Sequence, residues 1–164
     1  MTPIQEIANA ASSGDVARLR ELLASDGSLA RAFDDEGWTA LHLAAFHGHR
    51  DAAEALLESG AMVDARSTNR LENTPLHAAC AGGRTELVAL LLAHRADPDS
   101  REHGGYTPLH LAVDHDDLAM VTLLLDAGAF LSPHDEDGVT PLGMATRDQH
   151  DTVAQLLRTR GAVE

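Results

Sequence analysis

Thr74-Pro75-Leu76-His77 and Thr107-Pro108-Leu109-His110 are one tetrapeptide written twice, 33 residues apart. A looser copy, Thr39-Ala40-Leu41-His42, stands 35 residues before the first, and Thr140-Pro141-Leu142-Gly143 stands 33 after the second. Each copy leads into small residues: Ala44-Ala45, Ala78-Ala79, Ala112-Val113 and Ala145-Thr146. A leucine-rich run follows in each case, at Leu56-Leu57, Leu90-Leu91-Leu92, Leu123-Leu124-Leu125 and Leu156-Leu157. Gly48 and Gly83 fall nine residues after their threonines, and Gly60-Ala61, Gly128-Ala129 and Gly161-Ala162 close their units. Counting nine back from Gly14 puts Gln5 at the threonine position, Ile7 at the leucine position and Ala10-Ala11 at the small pair. Self-similarity at this period is the mark of stacked repeats. It predicts one domain over 1–164 made of five units, spanning 1–33, 34–66, 67–101, 102–134 and 135–164. Asn9, Ser12 and Ser13 in the first unit, and Gln155, Arg158, Thr159 and Arg160 in the last, are read as the polar outer faces of caps.

The physical content of one unit is legible residue by residue. Threonine is a competent N-cap, and a proline in the first helical position gives up an amide that had no partner there. Thr74-Pro75 therefore starts a short helix that Gly83 ends in the left-handed conformation. A second helix is expected over about 85–93, carrying Leu87, Val88, Leu90, Leu91 and Leu92. That apolar surface is too wide for one helix to bury, so it must pack on the units before and after. Asp34-Asp35-Glu36-Gly37-Trp38 and Asp135-Glu136-Asp137-Gly138-Val139 are turn sequences, with glycine placed for positive φ.

The period, the Thr-Pro-Leu-His signature and their repetition in register resemble the ankyrin repeat over essentially the full length. The resemblance implies an all-α repeat solenoid of helix-turn-helix pairs with short β-hairpin fingers and a concave face. It implies a structural role for Thr39, His42, Thr74, Pro75, His77, Thr107, Pro108, His110, Thr140 and Pro141, the imidazoles tying threonine and loop together between units. His49 and His150 fall at another position where the family commonly has histidine. The sequence departs from the pattern at several places. Unit 3 has the 35-residue spacing, with Glu72 where glycine is expected, so its finger over 68–73 should be longer and differently shaped. Arg95 replaces glycine in unit 4, Asp116 takes the helix-end glycine position there, and unit 5 lacks both the histidine and the helix-end glycine.

Composition agrees and excludes several function classes. Alanine (28) and leucine (24) supply almost a third of the 164 residues, and only five residues are aromatic, so the core must be aliphatic and helical. Twelve arginines and no lysine face 26 acidic residues, a formal net charge of −14. Nucleic-acid and anionic-membrane binding, which need basic surface, are disfavoured. No apolar run is long enough to span a membrane. Cys80 is the only cysteine, so no internal disulfide forms, and Met1–Glu6 lacks the basic n-region of a signal peptide; a cytoplasmic location is expected. No Walker loop, GxGxxG, HExxH or GxSxG is present, which argues against an enzyme and against a cofactor.

The resemblance also implies where a partner would sit: on residues just before each threonine, and on the two residues seven and eight after it. Unit 2 offers Asp35, Glu36, Trp38, Phe46 and His47. Unit 3 offers Arg70, Leu71, Asn73 and Ala81, and unit 4 offers His103, Tyr106, Asp114 and His115. Unit 5 offers Glu136, Asp137, Val139, Arg147 and Asp148. The only tryptophan and only tyrosine fall here, and these are the commonest interface anchors; the alternative is that both rings only pack between fingers. The function expected is a protein-interaction scaffold, itself a monomer, binding a partner of basic or mixed charge. Two alternatives stand beside it: a regulatory or structural subunit of a larger enzyme complex, and a metal-binding protein, for which His47, His94, His103, His115 and His134 are the histidines without a structural role.

Overall fold

The computed structural model describes all residues, Met1–Glu164, and builds ten α-helices in five pairs. The first pair is α1 (Pro3–Ser13) with α2 (Val16–Ser25), the second α3 (Ala40–His47) with α4 (Arg50–Glu58). Then come α5 (Pro75–Ala81) with α6 (Thr85–Ala93), α7 (Pro108–Asp114) with α8 (Leu118–Asp126), and α9 (Pro141–Arg147) with α10 (Asp151–Thr159). Odd-numbered helices pack on one another in succession to form an inner row, and even-numbered helices form an outer row. A unit here means one helix pair with the finger that precedes it.

The core is a set of columns running through the stack. Ile7, Leu41, Leu76, Leu109 and Leu142 hold one position in successive units, and all are buried. Leu22, Leu56, Leu91, Leu124 and Leu157 make the matching outer column. Where inner helices approach most closely, Ala10, Ala44, Ala79, Ala112 and Ala145 occupy every unit and are buried. A larger side chain there would force the backbones apart.

Each signature threonine caps an inner helix. Thr39 accepts from the His42 amide and Thr140 from the Gly143 amide, while the amides of Thr39, Thr74 and Thr107 donate to Nδ1 of His42, His77 and His110 three residues on. The first unit departs from the expected frame. Its helix does not wait for Gln5 but starts one turn earlier, at Thr2-Pro3, with a capping box closed by Gln5 itself. Thr2-Pro3-Ile4-Gln5 is thus a second, displaced version of the start signal, while Ile7 keeps its place in the core column.

The fingers are turns rather than two-stranded hairpins. One isolated bridge, Phe33 to Thr39, is the only strand-like pairing. Elsewhere a backbone bond closes the base: Asp34 N–H to Trp38 O (2.8 Å), Glu102 to Tyr106 (3.0 Å) and Asp135 to Val139 (3.0 Å). Asp34 Oδ1 accepts from the amides of Glu36 and Trp38, and Asp135 Oδ1 from those of Asp137 and Val139. These aspartate-centred turns satisfy the tip internally, and that leaves no ladder for strands to extend. Finger 3 is longer, as its spacing predicts, closing from Ser67 N–H to Asn73 O (2.8 Å). Neighbouring fingers are tied tip to tip by Thr68 N–H to Gly37 O, His103 N–H to Leu71 O and Glu136 N–H to Gly104 O.

Only four non-glycine residues have positive φ: Glu72 (51°), Arg95 (66°), Asp116 (51°) and Gln149 (62°). Each stands where another unit has a left-handed glycine, such as Gly37, Gly60 or Gly48. The irregular units therefore keep the backbone of the regular ones and accept local strain.

Candidate protein-interaction surface

Two rows of hydrogen bonds fix the face on which fingers and inner-helix ends lie. In the buried row, each signature imidazole bonds its own threonine hydroxyl through Nδ1 at 2.8–2.9 Å. Its Nε2 donates to a carbonyl in the next finger: His42 to Asn73 (3.1 Å), His77 to Tyr106 (3.2 Å) and His110 to Val139 (3.1 Å). Burial disfavours the charged imidazole, pushing His42 and His77 down to about 4 and lowering His110. The bond to a carbonyl requires a proton on Nε2 only, so the neutral ring suffices.

The second row is closer to solvent and caps the ends of the inner helices. His49 Nε2 donates to Ser12 O (2.9 Å), Arg84 Nε to Phe46 O (3.1 Å) and His150 Nδ1 to Val113 O (2.8 Å). These three donors share one repeat position. In unit 4 that position is Asp117, which cannot donate; it accepts from Thr85 Oγ1 (2.9 Å) instead. His115, two residues earlier, supplies the bond to Ala81 O (3.0 Å).

The twelve expected contact residues are all exposed or half-buried. Trp38 and Tyr106 pack on His42 and His110, ring centroids 5.6 Å apart in both cases, and each keeps part of its ring in solvent. Trp38, Phe46 and His47 come together in an apolar notch of about 310 Å³ between units 2 and 3. Leu43, Leu71, Ala78 and Ala81 supply more of its wall, and His42 and Asn73 its polar part. Asp35 and Glu36 turn away from the notch into a shallow polar depression shared with α1, where Gln5 Nε2 donates to Asp35 Oδ2 (3.3 Å). Arg70 is exposed on finger 3 and His103 on a short turn in finger 4. Asp114 and His115 end α7; Arg147 lies at the end of α9 and forks onto its neighbour Asp148 with two bonds of 2.8 Å. That fork holds the Asp148 carboxyl below its ordinary range.

Three features of this face escape the sequence reading. Leu43 lines the notch and lies three and four residues before Phe46 and His47, so helical spacing alone would have placed it beside them. A β-carbon on Gly82 would collide with the Phe46 carbonyl oxygen, which is why a residue without one stands there. Glu102, half-buried under finger 4, is pushed up to about 7 by burial, against the opposing influence of the Asn73 side chain. No sequence signal marks it, because its environment comes from residues about thirty positions away. No group of three or more His, Cys, Asp or Glu side chains is arranged to hold a metal ion. The Cys80 thiol is fully buried and pushed well up from its ordinary range. No helix is long and apolar enough to cross a membrane.

Comparison with known proteins agrees with this architecture. The family described as "Ankyrin repeats (3 copies)" matches residues 5–67 and 61–135. Palmitoyltransferase Hip14 of Drosophila melanogaster is 41% identical over 100 residues, 61% of this chain and 15% of that protein. Serine/threonine-protein kinase VIK of Arabidopsis thaliana is 39% identical over 84 residues, 51% of this chain and 19% of that protein. Neurogenic locus notch homolog protein 1 of Mus musculus is 40% identical over 88 residues, 53% of this chain and 3% of that protein. The chain therefore spans less than a fifth of the length of each of these relatives.

Proposed function

The chain belongs to the ankyrin repeat family, a non-catalytic protein-interaction fold, and from that premise we propose that it binds a protein partner along its fingers and inner-helix ends. The contact residues are Asp35, Glu36, Trp38, Phe46, His47, Arg70, His103, Tyr106, Asp114, His115, Arg147 and Asp148. The observation that carries the reading is the apolar notch: Trp38, Phe46 and His47, expected on separate grounds to face a partner, line one cavity. Concave apolar sites with a few polar groups are where proteins bind their ligands. A net charge of −14 favours a partner of basic or mixed charge and faster association at low salt.

Affinity capture from the native source with the wild type and a Trp38→Ala/Tyr106→Ala variant tests the face. A recovered partner should bind the folded variant at least tenfold more weakly. Equal retention by a variant that melts cooperatively would place the binding face elsewhere.

A second reading, a regulatory or structural subunit of a larger enzyme assembly, is favoured by two relatives whose names are those of a palmitoyltransferase and a protein kinase. Co-purification of an enzyme at fixed stoichiometry from the native source would support it; capture of non-enzymatic partners alone would remove it.

A further inference from the structure

We infer that the notch between units 2 and 3 receives one bulky apolar side chain from a partner segment whose flanking residues are basic. The inference rests on the binding face proposed above and names what that face selects.

The notch owes its form to the irregular finger. The two additional residues in the unit 3 spacing lengthen the loop between Ser67 and Asn73, and Leu71 from that loop forms part of the wall. Where units 2 and 4 place Trp38 and Tyr106 before the threonine, unit 3 places Asn73, and the smaller side chain leaves space beside Trp38. At the back, Gly82 lets α5 lie directly against the Phe46 carbonyl. The resulting space, about 310 Å³, would hold about ten waters at liquid density. Water filling it would lie against Trp38, Leu43, Phe46, Leu71 and two alanines, so an apolar side chain that displaces it is favoured. Phe46 and Leu71 are large apolar side chains left 45% and 40% exposed.

A second, independent observation points the same way. Asn73 is 5% exposed and forms part of the notch, and its Oδ1 is the one buried side-chain polar atom in the chain without a hydrogen-bond partner. An unpaired buried acceptor is costly, and natural structures rarely leave one. The apolar walls offer no donor. Oδ1 is closed to solvent, so an N–H that arrives with the anchoring residue of a partner pairs with it once the Asn73 amide turns toward the notch.

Charge selects the flanks. Asp35 and Glu36 are exposed on finger 2, which also carries Trp38, and face the depression beside the notch. Against these, Arg66 is paired with Glu72 and Arg84 is engaged with the Phe46 carbonyl, leaving Arg70 as the cation beside Leu71. An apolar centre with acidic side chains on one side of it matches an apolar residue set beside arginines or lysines.

The test is panning of a random 12-residue peptide display library on the immobilised full chain, with an unrelated acidic protein as control. The expected pool restricts one position to Leu, Ile, Met or Phe and enriches Arg or Lys around it. The leading peptide, synthesised without tryptophan, should shift the emission of Trp38, the only tryptophan. Phe46→Asp and Leu71→Ser should each weaken it at least tenfold with little change in melting temperature, because both side chains are partly exposed. Enriched peptides without an apolar anchor, or equal binding to both variants, overturn the inference; the broader face then stands if the Trp38→Ala/Tyr106→Ala variant still loses its partner. A pool with no sequence retained above the acidic control overturns it too, and the capture experiment decides the broader face separately.

Discussion

The two hydrogen-bond rows do similar work with different sequence discipline. In the buried row, His42, His77 and His110 repeat the same residue and the same two bonds three times. In the outer row, the bond across the joint comes from His49, Arg84, His115 or His150, and in unit 4 from a different position altogether. The difference is access to water. The carbonyls of Asn73, Tyr106 and Val139 also accept the finger-closing amides, so losing an imidazole costs the bond to the next unit, the partner of a buried threonine hydroxyl and the packing of a buried ring, none of which water can replace there. A helix-end carbonyl near the surface can be hydrated when its partner changes, so many residues serve. Burial fixes residue identity, whereas exposure fixes only geometry.

Acidification breaks the buried row most severely. His42 and His77 titrate in the folded chain at about 4 and unfolded near 6.5, so the unfolded chain binds more protons between those values. Stability is complete above pH 6.5 and is lost as pH falls toward 4, by roughly 3 kcal/mol for each of these two histidines. Glu102 acts in the opposite sense: raised to about 7, its carboxyl weakens the fold at neutral pH and that cost is relieved as pH falls. One half-exposed acid cannot offset two buried histidines, so the melting temperature should drop steeply between pH 7 and 4.5. A flat profile would mean that the imidazoles are not buried neutral donors.

His77→Ala isolates one rung at neutral pH. It removes both the Thr74 bond and the donor to Tyr106 O, and should cost about 3 kcal/mol in denaturant unfolding. A cost below 1 kcal/mol would erase the distinction between the rows. Glu102→Gln removes the unfavourable buried charge and should stabilise the chain at pH 8 by about 1 kcal/mol after screening, with the gain vanishing near pH 5. Arg95→Gly tests the same rule in the backbone. Arg95 holds φ 66° where other units have glycine, so the substitution should stabilise by about 0.5–1 kcal/mol, read as a rise in melting temperature. The smallest effect belongs to the outer row: His115→Ala should cost no more than about 0.5 kcal/mol, since the Ala81 carbonyl can be hydrated. A loss as large as that of His77→Ala would put the outer row under the same constraint as the inner one.

Much of the fold is legible in the sequence because each unit repeats its own instructions. The expected helix over about 85–93 is Thr85–Ala93, and the positions read as missing glycines at 72, 95 and 116 keep the left-handed backbone. The start of α1 departs from the repeat register because the core frame and the cap frame are out of phase there: Ile7 obeys one and Thr2-Pro3 the other. The family implies hairpin fingers, but in fingers 2 and 5 the Asp34 and Asp135 carboxylates satisfy the tip amides within the turn. Of the candidate surface, exposure was legible and convergence was not. Trp38, Phe46 and His47 meet in one notch, whereas Asp35 and Glu36 face the neighbouring depression.

By itself, the sequence determined the repeat, the inner-helix starts of units 2 to 5, the aliphatic columns and the exclusion of basic surface, because these depend on local caps and on a periodicity that survives in one dimension. Tertiary structure decided which carbonyl each histidine reaches, where His115 substitutes for a missing donor, and how a longer finger, a small Asn73 and a bare Gly82 combine to open a cavity beside Trp38. Those outcomes depend on distances between residues about 30 to 40 positions apart, set by how closely one unit settles on the next. No single unit encodes that spacing; it exists only once the columns of alanine and leucine are packed.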